Sequence, residues 1–400
     1  MNMNEPKLRF KADDGSQFPD WEEKVFGDFV DTHLEKTSDK DTYPLYSLTI
    51  ESGVQPKTDR YEREFLVKKE GDNYKIVPPN AFVYNPMNLR FGALKVNHEK
   101  FSVSVSGYYD VFSLKDDSVL AFWENYLVTP KMLNYYFSIA TGSLIEKLRV
   151  HYSQFVKIKK PLPSLPEQQK IAEFLSTIDT VIEKQKETVS AWEERKKGVM
   201  QKLFSQEVRF KADDGSEFPE WEEKKLGDVF TERTERSKGG ESLLSVTIAQ
   251  GIIKQSETDK RNIASENKSN YKIVKKNDLA YNTMRMWQGA EGVSEYDGIV
   301  SPAYTVITAV DGNNSYFFET MFKQTFMLQV FQRFSQGLTS DTWNLKFPAF
   351  SEIKCQVPCE DEQNKIVECV AVLDEVIEKQ KATLAAWEEL KKGLLQQMFV

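Results

Sequence analysis

The chain has 400 residues, of which 40% are hydrophobic and 12% aromatic, and it carries a formal net charge of −8 at pH 7. This apolar content supports folded cores and excludes an intrinsically disordered chain. At this length, two globular domains with connecting segments are expected.

The sequence carries no pattern of a membrane span or an export signal. No apolar run approaches the roughly 18 residues of a transmembrane helix, and the N-terminal MNMNEPKLRF lacks a signal-peptide pattern. The cysteines, Cys355, Cys359 and Cys369, form no framework of pairs. These features predict a cytoplasmic protein in a reducing compartment.

The first recognisable element is a segment that occurs twice. Residues 9–28 read RFKADDGSQFPDWEEKVFGD, and residues 209–228 read RFKADDGSEFPEWEEKKLGD. Sixteen of these 20 positions are identical, at an offset of 200 residues. A duplication this clear predicts a molecule with an internal pseudo-twofold.

Each copy is followed by an insert that differs between the halves. The inserts, residues 31–164 and 231–360, have the usual size of a domain. Short β-rich runs such as residues 82–84 predict strands, and single helices are expected at residues 122–139 and 315–334. Each insert therefore predicts a mixed α+β domain.

The last repeated element is a long helix. Residues 167–204 read EQQKIAEFLSTIDTVIEKQKETVSAWEERKKGVMQKLF, and residues 362–399 read EQNKIVECVAVLDEVIEKQKATLAAWEELKKGLLQQMF. The steps between seam positions alternate between four and three, which indicates a coiled coil. At 1.5 Å per residue each helix spans roughly 55 Å. Central seam positions are Ile178, Ile182, Val189 and Trp192 in one helix and Leu373, Ile377, Leu384 and Trp387 in the other.

Two arrangements of these helices are open. They pair antiparallel, as two-fold symmetry between equivalent helices requires, or each packs on its own globular domain. We favour the pair, which would hold the inserts a set distance apart.

The order of the segments predicts a circular arrangement that is opened once. The middle of the chain carries a helix followed by a duplicated segment, whereas each chain end carries only one of the two. If the ends meet, they rebuild the middle. The predicted boundaries are an N-terminal frame segment (1–30), a first domain (31–164), a central helix and frame segment (165–230), a second domain (231–360) and a C-terminal helix (361–400).

These motifs and their order resemble the specificity subunits of type I restriction–modification systems over the whole chain. The resemblance rests on the helix starts LPEQQKIAEFL and DEQNKIVECV, the IEKQK and AWEE repeats with KKG, and the FPxWEE segments. The loops TGSLIEKLR and SQGLTSDTWN also lie where this family often has a loop before its last strand.

The resemblance implies a non-catalytic subunit that binds double-stranded DNA. Each insert would be a target-recognition domain that reads one half of a split asymmetric site, and the helices would set the gap. The subunit would recruit two adenine-N6 methyltransferase subunits. The full complex would add ATP-dependent restriction subunits that combine translocase and nuclease.

The charge distribution agrees with this division of labour. Residues 31–164 hold 18 Lys and Arg against 16 Asp and Glu, and residues 231–360 hold 15 against 15. The remaining frame holds 20 against 30. The net charge is therefore +2 for the first insert, 0 for the second and −10 for the frame. The acidic residues in excess lie in the frame, where protein partners would bind. Neutral inserts need their cations clustered on one face to bind DNA, with partner subunits adding phosphate contacts.

Loops at corresponding positions carry the side chains that read bases. The loops at residues 85–91 (NPMNLRF) and 282–288 (NTMRMWQ) match in position and differ in content, as readers of different half-sites should. The alternative for any single residue is a solvated position or a turn hydrogen bond. The candidates in these loops are Asn85, Asn88, Arg90, Phe91, Asn282, Arg285, Trp287 and Gln288, with a second set of Lys147, Arg149, Thr339, Ser340, Thr342 and Asn344 in the loops at residues 141–149 and 335–344.

Enzymatic motifs are weak or missing. The string PDWEEK at residues 19–24 imitates a nuclease motif, but so short a gap cannot place metal-binding acids on separate strands. There is no phosphate-binding loop and no GxGxxG. His33, His98 and His151 lack ligand spacing. We therefore predict no catalytic site, no metal and no cofactor.

A second hypothesis comes from a different functional class. A coiled-coil scaffold could carry twin domains that bind protein or another ligand. Unequal inserts on equal frames favour the DNA reader, because asymmetric half-sites require unequal readers. Two basic faces would indicate DNA, and their absence would indicate a scaffold.

Overall fold

The computed structural model describes residues 6–50, 53–57, 74–116, 119–248, 250–257, 267–339 and 342–399. The chain forms two compact units, unit 1 (Met1–Glu187 with Lys381–Val400) and unit 2 (Thr188–Gln380). Both mix helices and strands, which confirms the predicted α+β class. Within the described ranges, no helix combines the length and apolar character of a membrane span.

Unit 1 is built on short antiparallel strands. Its strands are β1 (Glu22–Val25), β2 (Val30–Thr32), β3 (Lys36–Thr37), β4 (Tyr46–Thr49), β5 (Gly53–Pro56), β6 (Tyr74–Val77), β7 (Phe82–Tyr84), β8 (Leu94–Val96), β9 (Val103–Val105), β10 (Asp110–Leu114) and β11 (Lys159–Leu162). The sheets have the orders β1-β11, β2-β10-β7-β8, β3-β6-β9 and β4-β5. The β1-β11 pair brings the duplicated segment against the end of the insert.

Unit 2 repeats this plan. Its strands are β12 (Glu222–Lys225), β13 (Phe230–Glu232), β14 (Leu244–Thr247), β15 (Gly251–Lys254), β16 (Lys272–Val274), β17 (Leu279–Asn282), β18 (Glu291–Val293), β19 (Gly298–Val300), β20 (Tyr304–Ala309) and β21 (Lys354–Val357). Their sheets have the orders β12-β21, β13-β20-β17-β18, β14-β15 and β16-β19. The β12-β21 pair is the counterpart of β1-β11.

Two long helices accompany several short ones. The helices are α1 (Leu120–Tyr126), α2 (Pro130–Ile139), α3 (Tyr152–Phe155), α4 (Leu165–Phe204), α5 (Leu226–Val229), α6 (Ser315–Phe322), α7 (Thr325–Phe334), α8 (Phe347–Ser351) and α9 (Glu360–Met398). The predicted single helices at 122–139 and 315–334 are wrong, because each is divided into two. Pro130 begins α2 with Thr129 as its N-cap, which explains the first break since proline cannot continue a helix. The second break lies at Lys323 and Gln324.

The duplicated segment is attached to the start of each long helix by the same buried contacts. In unit 1 the Arg9 guanidinium donates to both carboxylate oxygens of Glu167, at 3.0 and 2.8 Å, and Trp21 Nε1 donates at 3.2 Å. In unit 2, Arg209 and Trp221 donate to Glu362 at 3.1, 2.8 and 3.1 Å. Both carboxylates are buried. The repeated segments and helix starts that stand out in the sequence therefore contact each other and stabilise the fold. We call each set the frame triad.

The chain ends meet in unit 1, which confirms the circular arrangement. The Leu8 amide donates to the Gln397 carbonyl at 3.0 Å. In unit 2 the equivalent contact joins Val208 to Lys202 at 3.2 Å, within continuous chain. The N-terminal segment and the end of α9 therefore reproduce in unit 1 what residues 202–208 form in unit 2.

The long helices pair within each unit. In unit 1, Asp179 of α4 binds Lys391 of α9, and Lys186 lies 3.9 Å from Glu388. Residue numbers rise along one helix as they fall along the other, so the pair is antiparallel, as predicted. Unit 2 contains the equivalent ion pair between Lys196 and Asp374. In the seam, Ile178, Ile182 and Ile377 are buried, and Val189, Trp192, Leu373, Leu384 and Trp387 are half-buried.

A fully buried carboxyl group of unit 2 has an apolar counterpart in unit 1. Glu291 on β18 is fully buried, and leucine (Leu94) holds the corresponding place on β8. Neither oxygen of Glu291 accepts a hydrogen bond from the part of the chain that the structure describes. Burial raises the pKa of Glu291 well above its ordinary value, and the Lys323 ammonium at 3.9 Å opposes only part of this effect. Lys323 is itself held by Glu319 at 2.7 Å.

Removing the acceptor of a frame triad will destabilise its unit. We expect Glu362→Ala to lower the free energy of unfolding by roughly 3–5 kcal/mol, because Arg209 loses its buried partner. Urea unfolding followed by tryptophan fluorescence measures the loss. The matched control is Glu217→Ala, whose ion pair with Lys211 is exposed, with an expected change within about 0.5 kcal/mol. Equal losses for both variants would contradict the role of the triad.

Replacing Glu291 will stabilise unit 2 at high pH. Its folded-state pKa exceeds the unfolded value, so its favourable contribution is present below about pH 4.3 and is lost as pH rises toward the folded pKa. We expect Glu291→Leu to raise the free energy of unfolding at pH 8 by roughly 1–3 kcal/mol, with the gain shrinking as pH falls.

The control for this titration is Glu291→Gln, which keeps the shape of the side chain and removes its ionisation. Thermal unfolding measured from about pH 4.5 to about pH 8 should show less pH dependence in both variants than in the parent chain. A loss of stability at high pH in Glu291→Leu would show that the folded chain holds Glu291 ionised.

Candidate nucleic-acid interface

The first predicted loop of unit 1 is a tight connection between β7 and β8. The Asn85 amide donates to the Ala93 carbonyl at 3.1 Å, and Asn85 Oδ1 accepts from the Met87 amide at 3.0 Å. Gly92 closes the loop with φ of 88°, a conformation that favours glycine. Asn85 therefore shapes the loop, while Asn88 is exposed at its surface.

Arg90 connects this loop to the second predicted loop. Its Nη2 donates to the Ile145 carbonyl at 2.7 Å. Its guanidinium carbon lies 4.7 Å from the ring centre of Phe91 and 5.7 Å from that of Phe137. Its Nε and Nη1 are covered and find no hydrogen-bond partner among the described residues. This placement favours a positioning role for Arg90 over direct contact with a base.

The second loop of unit 1 lies against the first. Thr141 and Arg149 pair through two backbone hydrogen bonds of 2.9 and 3.0 Å, and the Val150 amide donates to the Pro86 carbonyl at 3.0 Å. Lys147 is exposed. The Arg149 guanidinium lies 5.6 Å from the ring centre of Tyr108. The second loop thus contacts the first through Val150, and its Arg149 lies against the β9–β10 turn.

Large apolar side chains surround Arg90 at the surface. We define the unit 1 tip as residues 85–91 and 141–149 with Tyr108 and Phe137. Its most exposed apolar side chains are Phe91 (54%), Phe137 (55%), Leu144 (55%) and Ile145 (75%). Exposed apolar clusters of this kind mark binding surfaces.

The first loop of unit 2 has the same backbone and different side chains. The Asn282 amide donates to the Ala290 carbonyl at 2.9 Å, and Asn282 Oδ1 accepts from the Met284 amide at 3.0 Å. Gly289 has φ of 80°. Arg285 is exposed, and its guanidinium makes no hydrogen bond or ion pair with any residue that the structure describes. Gln288 is half-buried.

A tryptophan pair joins the two loops of unit 2. Trp287 Nε1 donates to the Met284 carbonyl at 3.1 Å, and its ring meets Trp343 edge to face at 5.2 Å between centres. The Leu345 amide donates to the Thr283 carbonyl at 2.8 Å, as Val150 does to Pro86. The tryptophan pair therefore joins the two loops of unit 2, as Arg90 joins the two loops of unit 1.

The second loop of unit 2 is closed by its own turn. Thr342 Oγ1 donates to the Thr339 carbonyl at 2.9 Å and accepts from the Thr339 amide at 3.1 Å. Asn344 pairs with Gln336 through the backbone, and its Oδ1 is buried without a partner among the described residues. Ser340 lies outside the described residues. We define the unit 2 tip as residues 282–288 and 335–344, where described, with Ala303, Gln332 and Arg333.

The short helices and the β9–β10 turn contribute residues that the sequence patterns did not single out. Phe137 and Arg333 lie near the ends of α2 and α7 and are exposed. A signal for them exists, since aromatic and basic side chains occur next to glycine-bearing loops in both halves. Trp343 was also missed, although it lies inside a loop that the sequence indicated.

The predicted residues thus fall into one cluster in each unit. Arg90, Lys147 and Arg149 supply positive charge in unit 1, and Arg285 and Arg333 supply it in unit 2. Among the described residues, no group of histidine, cysteine or acidic side chains could hold a metal ion. The arrangement offers hydrogen-bond donors, cations and apolar groups, which are the means of binding a polyanion with exposed base edges.

Comparisons with known proteins point to one family. The model of the type I restriction modification DNA specificity domain matches residues 20–190 and 219–386. Over 80 residues the chain is 41% identical to the type I restriction enzyme MjaVIII specificity subunit of Methanocaldococcus jannaschii. That match spans 19% of this chain and 19% of the relative.

Solved structures share the fold over nearly the full length. The S subunit of a type I restriction-modification system from M. genitalium aligns with a TM-score of 0.54 at 16% identity, covering 99% of both chains. A structure from a study of complex assembly in the type I R-M system aligns with a TM-score of 0.54 at 13% identity, covering 96% of this chain and 98% of the other.

Proposed function

This chain belongs to the type I restriction modification DNA specificity family, and from that premise we propose that it is the non-catalytic subunit that selects the DNA sequence. Its target would be a bipartite asymmetric site in double-stranded DNA. Residues 31–164 and 231–360 would be the two target-recognition domains. It would act beside the DNA, in the cytoplasm.

One observation supports this proposal most strongly. The two units present loops with the same backbone hydrogen bonds, and the exposed side chains on those loops differ. A scaffold for two copies of one ligand would need similar side chains, whereas two unequal half-sites need different ones. The position of Arg285, exposed and without a partner among described residues, fits a side chain that contacts guanine.

The frame is a suitable surface for protein partners. Asp20 and Glu22 in unit 1 correspond to Glu220 and Glu222 in unit 2, and all four carboxylates are exposed. Because the same acids occur at equivalent positions, they suit two copies of one partner with a basic face. We propose that these partners are two adenine-N6 methyltransferase subunits, with restriction subunits joining the full complex.

The test of the function is a genome-wide map of N6-methyladenine. Cells that carry the cognate methyltransferase are compared with and without this chain. A split asymmetric motif that depends on the chain supports the proposal. If an active methyltransferase is present and no chain-dependent motif appears, the scaffold hypothesis replaces it.

Arg285 should affect only one half-site. We expect Arg285→Ala to reduce discrimination at one base pair by roughly 5-fold to 150-fold, the effect of losing a bidentate contact. The methylation map of the variant measures it, and the half-site read by unit 1 is the internal control. Equal loss at both half-sites would instead identify Arg285 as a general phosphate contact.

We further propose that the long helices set the number of base pairs between the half-sites. Deleting residues 184–190 from α4 and 380–386 from α9 shortens each helix by about 10 Å and keeps the heptad phase. The expected result is a gap shorter by about three base pairs, with both half-sites unchanged. A changed half-site with an unchanged gap would refute this role of the helices.

A further inference from the structure

The two tips differ in chemistry at equivalent positions. Gly92 and Gly289 share the left-handed conformation that ends the first loop, so Phe91 of unit 1 corresponds to Gln288 of unit 2. The backbone pairs at the base of the second loops, Thr141 with Arg149 and Gln336 with Asn344, show that these loops have equal length. At four positions unit 1 carries the larger apolar side chain: Phe91 against Gln288, Tyr108 against Ala303, Phe137 against Gln332 and Leu144 against Thr339. At one position the exchange is reversed, because Ser143 stands against the fully exposed Leu338.

At these four positions the unit 1 tip carries apolar groups where unit 2 carries groups that are smaller or form hydrogen bonds. The exposed apolar side chains of the unit 2 tip, Met284 and Leu338, lie at other positions. Arg90 holds two of these side chains, because its guanidinium lies against Phe91 and Phe137 while it donates to the Ile145 carbonyl. Side chains that are already ordered lose little entropy on binding. The aromatic side chains packed against Arg90 are thus preorganised for binding. We call Phe91, Phe137, Leu144 and Ile145 the apolar patch.

The charges around the patch indicate what covers it. Arg90, Lys147 and Arg149 border it, and Glu146 is the acid within the second loop. A surface with an apolar centre and a positive border fits a polyanion that presents apolar groups between its charges. The major groove of DNA does so at each thymine, whose 5-methyl group projects among the base edges.

We propose that the unit 1 tip recognises its half-site through thymine 5-methyl groups. Phe91, Phe137, Leu144 and Ile145 supply the apolar contacts, and Arg90 is a positioning residue for them. This inference rests on the proposed DNA-specificity function, and it states which chemical group unit 1 detects.

The test replaces thymine by uracil, one position at a time. This substitution removes the methyl group and leaves the base-pairing edge unchanged. The complete complex with its methyltransferase subunits is titrated onto duplexes that carry the mapped site. We expect binding to fall roughly fourfold for each contacted methyl group, at thymines of the half-site that unit 1 reads.

Variants assign the effect to the unit 1 tip. The double variant Phe91→Gln and Phe137→Gln installs the side chains of unit 2 at exposed positions, where substitutions seldom prevent folding. In this variant the preference for thymine over uracil should shrink at the methyl groups that Phe91 and Phe137 contact, while Leu144 and Ile145 keep theirs. The matched control in unit 2, Gln288→Ala with Gln332→Ala, should keep the full preference for thymine in the other half-site.

Three outcomes would overturn the inference. Uracil could bind as well as thymine at every position of both half-sites, or the thymine preference could persist undiminished at every position in the unit 1 double variant. The double variant could also lose its methyltransferase subunits in gel filtration, which would identify the patch as a protein interface. In each case the methylation map still tests the specificity function separately, because a chain-dependent motif does not require methyl recognition.

Discussion

Both halves of the molecule depend on one buried carboxylate at the start of a long helix. An ionised carboxylate is costly to bury unless donors surround it, so Glu167 and Glu362 can occupy these sites only when the duplicated segment supplies its arginine and tryptophan. The strand that follows the tryptophan then pairs with the end of the insert. In each unit the frame triad thereby holds the start of the long helix, and the strand pair beside it joins the two ends of the insert.

This dependence explains why so much of the fold follows from the sequence. The triad residues are identical in the two copies, so the frame can be recognised by aligning one half of the sequence with the other. The order of the copies predicts that the chain ends meet, and the Leu8–Gln397 hydrogen bond occurs where residues 202–208 predict it. The alternation of seam positions likewise predicts that the long helices pair, and the two-fold relation between the repeats predicts that the pair is antiparallel.

Other features depend on contacts between distant residues and leave no local signal. Arg90 is of a residue type that often contacts bases. Only its hydrogen bond to Ile145 and its position against two rings show that it joins two loops. Glu291 lies in a sequence that gives no sign of burial, since polar residues on strands usually face solvent. The break at Lys323 has no proline to announce it, unlike the break before α2, which Pro130 itself signals.

The separation between frame and tips also explains how such a chain can tolerate new specificities. The tip side chains are exposed, so replacing them removes little buried area and costs little stability. Side chains join the loops differently in the two units, through Arg90 in unit 1 and a tryptophan pair in unit 2. The backbone hydrogen bonds common to both units, such as Val150 to Pro86 and Leu345 to Thr283, do not depend on side-chain identity. Phenylalanine can therefore stand in one unit where glutamine stands in the other, while the same scaffold presents both.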